Sequence, residues 1–138
     1  MKTRLSLIKV VVRDRRVAML AASASLLCGN LSAQAAELTR AELETRVVGN
    51  TIHYQSGTEH IFEFLAPDGV IRGYSSVHGP YTARWRLLGE DAICFEHEDP
   101  MASGCVSVVL RKGLVEYHRK DGVVEDPFPF LKGNPRHL

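Results

Sequence analysis

The sequence lacks the short motifs that most often reveal an activity. It contains no GxSxG nucleophile motif, no glycine-rich phosphate loop and no HExxH zinc motif, which carry the chemistry of many hydrolases, nucleotide-binding proteins and metalloproteases. It also has no CxxC pair, so the usual arrangement of a redox-active dithiol is missing. We therefore expect neither catalysis nor a cofactor.

The apolar run near the N-terminus is too short to span a bilayer. It extends over 15 residues, from Val17 to Leu31, whereas a membrane-spanning helix needs about 20. A basic segment, residues 1–16, precedes it, and Ala33 and Ala35 follow in the small-residue positions of a signal-peptidase site. This pattern predicts a signal peptide over residues 1–35, cleaved after Ala35, and a periplasmic or secreted protein without a stable membrane anchor.

Other interpretations of this leader fit less well. A membrane anchor would need a longer apolar run, and a lipoprotein would need small residues before Cys28, which follows Leu26 and Leu27. The pair Arg15-Arg16 raises the twin-arginine route, but the residues after it match that signal poorly. General secretion is the favoured route.

The remainder of the chain has little net charge. Removing the leader's six bases and one acid leaves 11 Lys and Arg against 15 Asp and Glu, so the formal charge changes from +1 to −4. Such a chain has no basic surface for nucleic acid. Residues 36–138 are enough for one small domain with a single core.

Cysteine is scarce, and its placement is informative. Of the three cysteines, Cys28 lies in the predicted leader, which leaves Cys94 and Cys105 in a chain expected to enter an oxidising compartment. One disulfide across the base of a hairpin is the simplest outcome.

The first element after the leader is predicted to be a helix over residues 40–48. Thr39 and Glu42 form a capping-box pattern, and Gly49 supplies a left-handed stop. Beyond Gly49 the hydrophobic period changes to two, and turn signals recur every eight to twelve residues.

About eight short strands are therefore predicted, and short turns can join them only as an antiparallel meander. A small barrel or a strongly curled sheet is expected, with the helix covering one end. Pro127 and Pro129 lack an amide donor, so the last segment is predicted to be an edge strand or an extended strap.

The segment "YTARWRLL" indicates which face is inside. Tyr81, Ala83, Trp85 and Leu87 alternate with polar residues and should face the core. Core packing is the main expectation for these aromatics. Tyr81, Trp85 and Tyr74 are nevertheless the candidates for contacting a ligand in an open barrel.

Two groups of residues could bind a metal. If Ser56-Gly57 forms a two-residue turn, His53 lies directly opposite His60, and facing imidazoles suit a transition metal. The loop between the two cysteines offers Glu96, His97 and Asp99, although neighbouring side chains on an extended loop diverge and the spacing fits neither zinc nor calcium patterns. A solvated acidic hairpin tip is the simpler interpretation of that loop.

Several segments together resemble a group of small, uncharacterised exported proteins of Gram-negative bacteria. The segments are "VGNT", "F.APDG..RG", "Y..RWRLLGEDAICFE", "GCVSV" and "KGNP". They extend over nearly all of residues 36–138 and fall mostly on turns and core positions. The resemblance implies a β-rich exported domain and transfers no catalytic residue.

The leading hypothesis is a single-domain β protein that binds something without transforming it. The partner would be a small apolar ligand in the barrel or an envelope protein on its surface. The alternative is a periplasmic transition-metal-binding protein that uses the His pair or the His97 loop.

Overall fold

The computed structural model describes residues 35–138. The predicted signal peptide and the alternatives weighed for it lie outside the described residues, except for Ala35 at their border. Within residues 35–138, no helix is long and apolar enough to cross a membrane.

Eight antiparallel strands form a closed barrel in simple chain order, with the last strand paired to the first. The predicted mainly β meander is therefore confirmed, and of the two predicted shapes the chain adopts the barrel. The strands are β1 (Thr51–Ser56), β2 (Glu59–Leu65), β3 (Val70–Ser75), β4 (Gly79–Leu88), β5 (Ala92–Glu96), β6 (Gly104–Arg111), β7 (Leu114–Arg119) and β8 (Phe128–Leu131).

Strand β8 closes the barrel, so the prediction of an edge strand or strap is wrong. It pairs through Leu114↔Pro129 with β7 and through Ile52↔Phe130 with β1, with two residue pairs on each side. So short a strand needs few amide donors, and Phe130 N donates to Gly113 O at 2.8 Å. One proline is therefore tolerated inside it.

The predicted helix covers one end of the barrel, as expected. It begins as α1 (Arg40–Glu42) and continues as a π-helical turn (Leu43–Val47), one residue short of the predicted end. The Thr39–Glu42 capping box is formed, and Gly49 has the left-handed φ of 81° that ends the helix. Leu43 and Val47 are fully buried in the core.

The helix-covered half of the barrel is filled with aliphatic side chains. The inward alternation predicted for "YTARWRLL" is observed, since Ala83 is buried and Trp85 and Leu87 pack against the core. The fully buried members of this cluster come from the helix and six strands: Leu43, Val47, Ile52, Leu65, Ile71, Ile93, Val108 and Val115.

Strands β5 and β6 are joined by a disulfide between Cys94 and Cys105, as predicted. The two cysteines are directly opposed in the hairpin, and their sulfurs are 1.99 Å apart. The loop that they enclose contains a short 3₁₀ turn (Pro100–Ala102). This covalent link lies at the end of the barrel opposite the helix.

Candidate functional site

The half of the barrel opposite the helix contains a cavity of about 780 Å³. The cavity is lined by residues of β1, β2 and β4 to β8, and its mouth is formed by the end of β1 and by the loops after β5 and β7. The helix contributes nothing to its lining. The barrel thus has one filled end and one hollow, open end.

Five aromatic side chains line the cavity. They project inward from five different strands because every second residue of a strand faces the interior. The Tyr54 and Tyr117 hydroxyls lie 3.0 Å apart, and the Phe128 ring meets Tyr54 edge-on with centroids 4.7 Å apart. The five are Tyr54, Tyr81, Phe95, Tyr117 and Phe128.

A buried carboxylate lies among these rings. Glu63, at an inward position of β2, is only 4% exposed and lines the cavity. Its Oε1 accepts a hydrogen bond from the Tyr81 hydroxyl at 2.6 Å. Burial raises the pKa of the Glu63 carboxyl, and the Tyr81 hydrogen bond, the nearby His97 and the Tyr54 hydroxyl offset part of that effect.

The three tyrosines of the cavity are neutral hydrogen-bonding groups. Burial is the main cause that raises the pKa of Tyr54, Tyr81 and Tyr117. Each phenol therefore keeps its proton over the physiological pH range. Together they offer a ligand donors and acceptors without adding charge.

His97 is the second titratable side chain close to Glu63. Its Nε2 lies 3.6 Å from Glu63 Oε1, and its side chain is 15% exposed. The backbone around it is fixed by Ser103, whose Oγ accepts from His97 N at 2.9 Å and donates to His97 O at 3.2 Å. The disulfide, whose Cys94 lies three residues before His97 and whose Cys105 lies two residues after Ser103, holds the same hairpin together.

A glycine opposite Tyr81 makes room for this arrangement. Gly73 pairs with Tyr81 between β3 and β4, and any Cβ added to Gly73 would overlap the Tyr81 ring. The ring thus lies flat over the bare backbone of Gly73, which directs its hydroxyl to Glu63.

Of the three predicted ligand-contacting aromatics, only Tyr81 lines the cavity. Trp85 lies near the filled end, where its Nε1 donates to Ala66 O at 2.8 Å. Tyr74 is on the outer face of the barrel, where the Arg136 guanidinium lies 5.2 Å from the centre of its ring. The expectation that these three share one site does not match their positions.

The predicted His pair meets, but in a different register. His53 is opposite Phe62, not His60, because Gly57 and Thr58 form the turn between Ser56 and Glu59. Gly57, with φ of 60°, occupies the first central position, where a type II′ turn requires glycine. The register based on a Ser56-Gly57 turn is therefore wrong.

The two imidazoles nevertheless make a diagonal contact on the outer face. His53 Nε2 lies 3.0 Å from His60 Nδ1. Burial, the neighbouring imidazole and the Arg136 charge, in that order, lower the pKa of His53. His53 is thus favoured in its neutral form.

The residues of the predicted acidic metal loop point in different directions. Glu96 pairs with Arg86 at 2.9 Å, and Asp99 accepts from Met101 N at 2.9 Å, while His97 faces the cavity. Over residues 35–138, no group of three or more His, Cys, Asp or Glu is placed to hold a metal ion.

Sequence reasoning missed the central residue of the site, although a signal for it exists. In "HIFEFLA", Ile61 and Leu65 face inward, so the same alternation places Glu63 inward as well. An acid at an inward position of a small barrel is exceptional. That conflict with the pattern could have identified Glu63 in advance.

Comparisons with known proteins add no assignment. No family model and no curated protein matches the sequence, and no solved structure matches the chain. The resemblance to small exported proteins of Gram-negative bacteria therefore stays a prediction, and the function must be argued from the cavity.

Proposed function

We propose that this protein is an exported binding protein that takes a small, largely apolar ligand into the open half of its barrel. The observation that carries the proposal is the aromatic cavity of about 780 Å³. Its volume lies within the range of about 300–1,000 Å³ that is typical of small-molecule sites. Eight-stranded barrels are either filled by side chains or hold one small ligand, and this barrel is filled at one end only.

The composition of the wall supports a ligand that is apolar over most of its surface. Aromatic rings supply large contact areas, and a few convergent polar groups, here Glu63, Tyr81 and His97, would fix its orientation. Binding without chemical transformation is the proposed activity.

An envelope protein is the less favoured partner. Within residues 35–138, the large exposed apolar side chains lie in the loops after β3, β5 and β7, at the open end of the barrel, or singly at strand ends. They are Val77, Leu88, Met101, Leu114, Val123 and Val124. The exposed apolar surface thus lies around the cavity mouth and not on the outer sheet face that a docking protein would use. Met101, the most exposed of them at 89%, lies at the cavity mouth, where it can contact an entering ligand.

A periplasmic or secreted location is part of the proposal. The Cys94–Cys105 disulfide is typical of oxidising compartments. The basic and apolar pattern of residues 1–35 and the resemblance to exported proteins support the same location.

A second candidate function, transition-metal binding, is favoured by one observation. The nitrogens of His53 and His60 are 3.0 Å apart, close to the separation of two adjacent ligands on one ion about 2.0–2.1 Å from each. The nearby Arg136 charge opposes a cation there. Titration calorimetry of untagged protein with Cu²⁺ or Zn²⁺ tests this candidate, and an absence of heat would exclude it.

The cavity proposal is tested with a neutral apolar dye whose fluorescence rises on leaving water, N-phenyl-1-naphthylamine. We expect saturable binding to the wild type and loss of binding in Ile61→Trp, which places a large ring in the cavity. The matched control is Thr82→Trp, on the exposed face of β4. Circular dichroism verifies that both variants fold.

Two results would contradict the proposal. One is a wild type that binds no dye. The other is a folded Ile61→Trp variant that binds dye as well as Thr82→Trp does, because the dye would then lie outside the cavity. Native mass spectrometry of protein isolated from its own host would identify the ligand.

A further inference from the structure

We infer that the ligand is an organic cation, an amine or ammonium group on an apolar body, with its charge held between Glu63 and the aromatic wall. The inference rests on the proposed function, since it names the chemical class that the same cavity takes. Four features of the described residues support it.

The first feature is the buried carboxylate of Glu63, which can accept further hydrogen bonds. Oε1 of Glu63 accepts a hydrogen bond from the Tyr81 hydroxyl. The Tyr54 hydroxyl also lies close enough to lower the pKa of Glu63, but no residue of 35–138 donates to Oε2 within 3.5 Å, and the side chain borders the cavity. His97 Nε2, at 3.6 Å, is beyond hydrogen-bonding distance. A ligand that donates to Oε2 would complete the coordination of the carboxylate.

The second feature is the cost of leaving that carboxylate without a counter-charge. An ionised carboxylate out of water is strongly destabilised unless it is paired. Glu63 is the only buried charged residue among residues 35–138. His97 Nε2, 3.6 Å away, pairs with Glu63 only when it is protonated. An ammonium group would supply a permanent positive partner, whereas an anionic ligand would add a second negative charge at the same place.

The third feature is the set of rings around Glu63. The face of an aromatic ring carries partial negative charge, so a desolvated cation within about 6 Å of a ring centre is attracted to it. Tyr81 contacts Glu63 directly, and Tyr54, Phe95, Tyr117 and Phe128 complete the wall. Rings and carboxylate therefore favour the same sign of charge.

The fourth feature is the charge balance at the mouth. Arg119 lies 3.5 Å from Asp121 and 3.9 Å from Glu125, so two acids neutralise the basic side chain that would otherwise attract an anion. Lys120 is the remaining base in the lining. The route into the cavity is not selective for anions.

The test uses three alkyl probes of equal length and different charge: octylammonium, 1-octanol and octanoate. Each displaces the dye from the wild-type protein, and the competition gives its dissociation constant. We expect octylammonium to bind at least tenfold more tightly than 1-octanol, and octanoate to bind most weakly. This ranking needs no variant.

Glu63→Gln then isolates the carboxylate. It keeps the shape and an acceptor for Tyr81, so we expect octylammonium to bind no better than 1-octanol, whose own affinity stays unchanged. Glu96→Gln, which neutralises an acid on the outer face, is the control and should leave all three constants as in the wild type.

The outcomes separate the two proposals. Equal affinities for the three probes, tightest binding of octanoate, or a folded Glu63→Gln that retains the preference for octylammonium would each overturn the cation inference, while cavity binding would stand. A protein that takes up neither dye nor any probe would overturn the proposed function itself.

Discussion

The two ends of this barrel are built from the same strands and the same alternation, yet they differ in content. At the helix end, Leu43, Ile52, Ile71 and Val115 are completely buried in one hydrophobic cluster. At the other end, aromatic rings surround a buried acid and enclose about 780 Å³. One end therefore stabilises the fold, and the other is available for binding.

The difference shows that inward orientation alone does not make a core. Small aliphatic side chains and a helix can fill the interior to native packing density, whereas large flat rings held at the walls by hydrogen bonds leave space between them. Tyr54 and Tyr117 hold each other in this way, and Tyr81 is held by Glu63.

The strongest test of the difference between the two ends is to create a void in the filled end. We expect Leu43→Ala to lower the free energy of unfolding by about 2–5 kcal/mol, the cost of removing buried methyl groups and leaving a cavity, while dye binding at the open end is retained. Urea denaturation followed by circular dichroism measures the loss.

Val77→Ala is the control for this experiment, because Val77 is 64% exposed in a turn and should change the stability by no more than about 0.5 kcal/mol. If Leu43→Ala cost no more than Val77→Ala, the helix would not be part of the core.

A second change acts on the open end. Replacing both Cys94 and Cys105 with Ala removes a cross-link between residues 11 apart and should cost about 3 kcal/mol by the chain-entropy estimate. Because His97 lies in the same hairpin, we also expect weaker probe binding, which Leu43→Ala should not show.

Urea denaturation and dye competition measure the two effects of this double variant. Loss of stability with unchanged affinity for octylammonium would show that the disulfide does not help to position the site.

The smallest expected effect concerns Glu63 and pH. Burial raises its pKa above the ordinary value of 4.5, so between these two pKa values the folded protein holds a proton that the unfolded chain has released. The stability contributed by this group is complete below about pH 4.5 and is lost as the pH rises through the raised pKa.

Glu63→Gln should abolish that decline. We expect its free energy of unfolding, minus that of the wild type, to increase from acid to neutral pH, as measured by urea denaturation at each pH. The variant keeps the shape of the side chain, so the difference reports the Glu63 carboxyl together with its interaction with His97, 3.6 Å away. Parallel stability curves would show that the pKa of Glu63 is not raised.

Most of the fold could be predicted from the sequence because its signals are local. The capping box at Thr39 and Glu42, the glycine stop and the eight alternating segments each depend on neighbouring residues. The cysteine pair added one long-range constraint. Closure by β8 could not be predicted. The strand forms only two residue pairs on each side, so its alternation is weak, and Pro127 and Pro129 indicate a segment outside the sheet.

The site was less predictable because it depends on depth along the barrel axis. Alternation predicts that Tyr81 and Trp85 both face inward. It does not predict that Tyr81 lies in the cavity while Trp85 packs against the helix-covered core. The first turn was misplaced by one residue, which shifted the register of β1 and β2 by two residues and changed the partner of His53. Glu63 was visible only as an acid at an inward position.

The space above Gly73 has a consequence for how such a barrel can evolve. Any side chain at that position would displace the Tyr81 ring, and the ring carries the hydroxyl that contacts Glu63. A single substitution on β3 would thus alter the free volume of the barrel and the environment of its acid together. Ligand preference in this fold can therefore be changed by one mutation at a residue that need not touch the ligand.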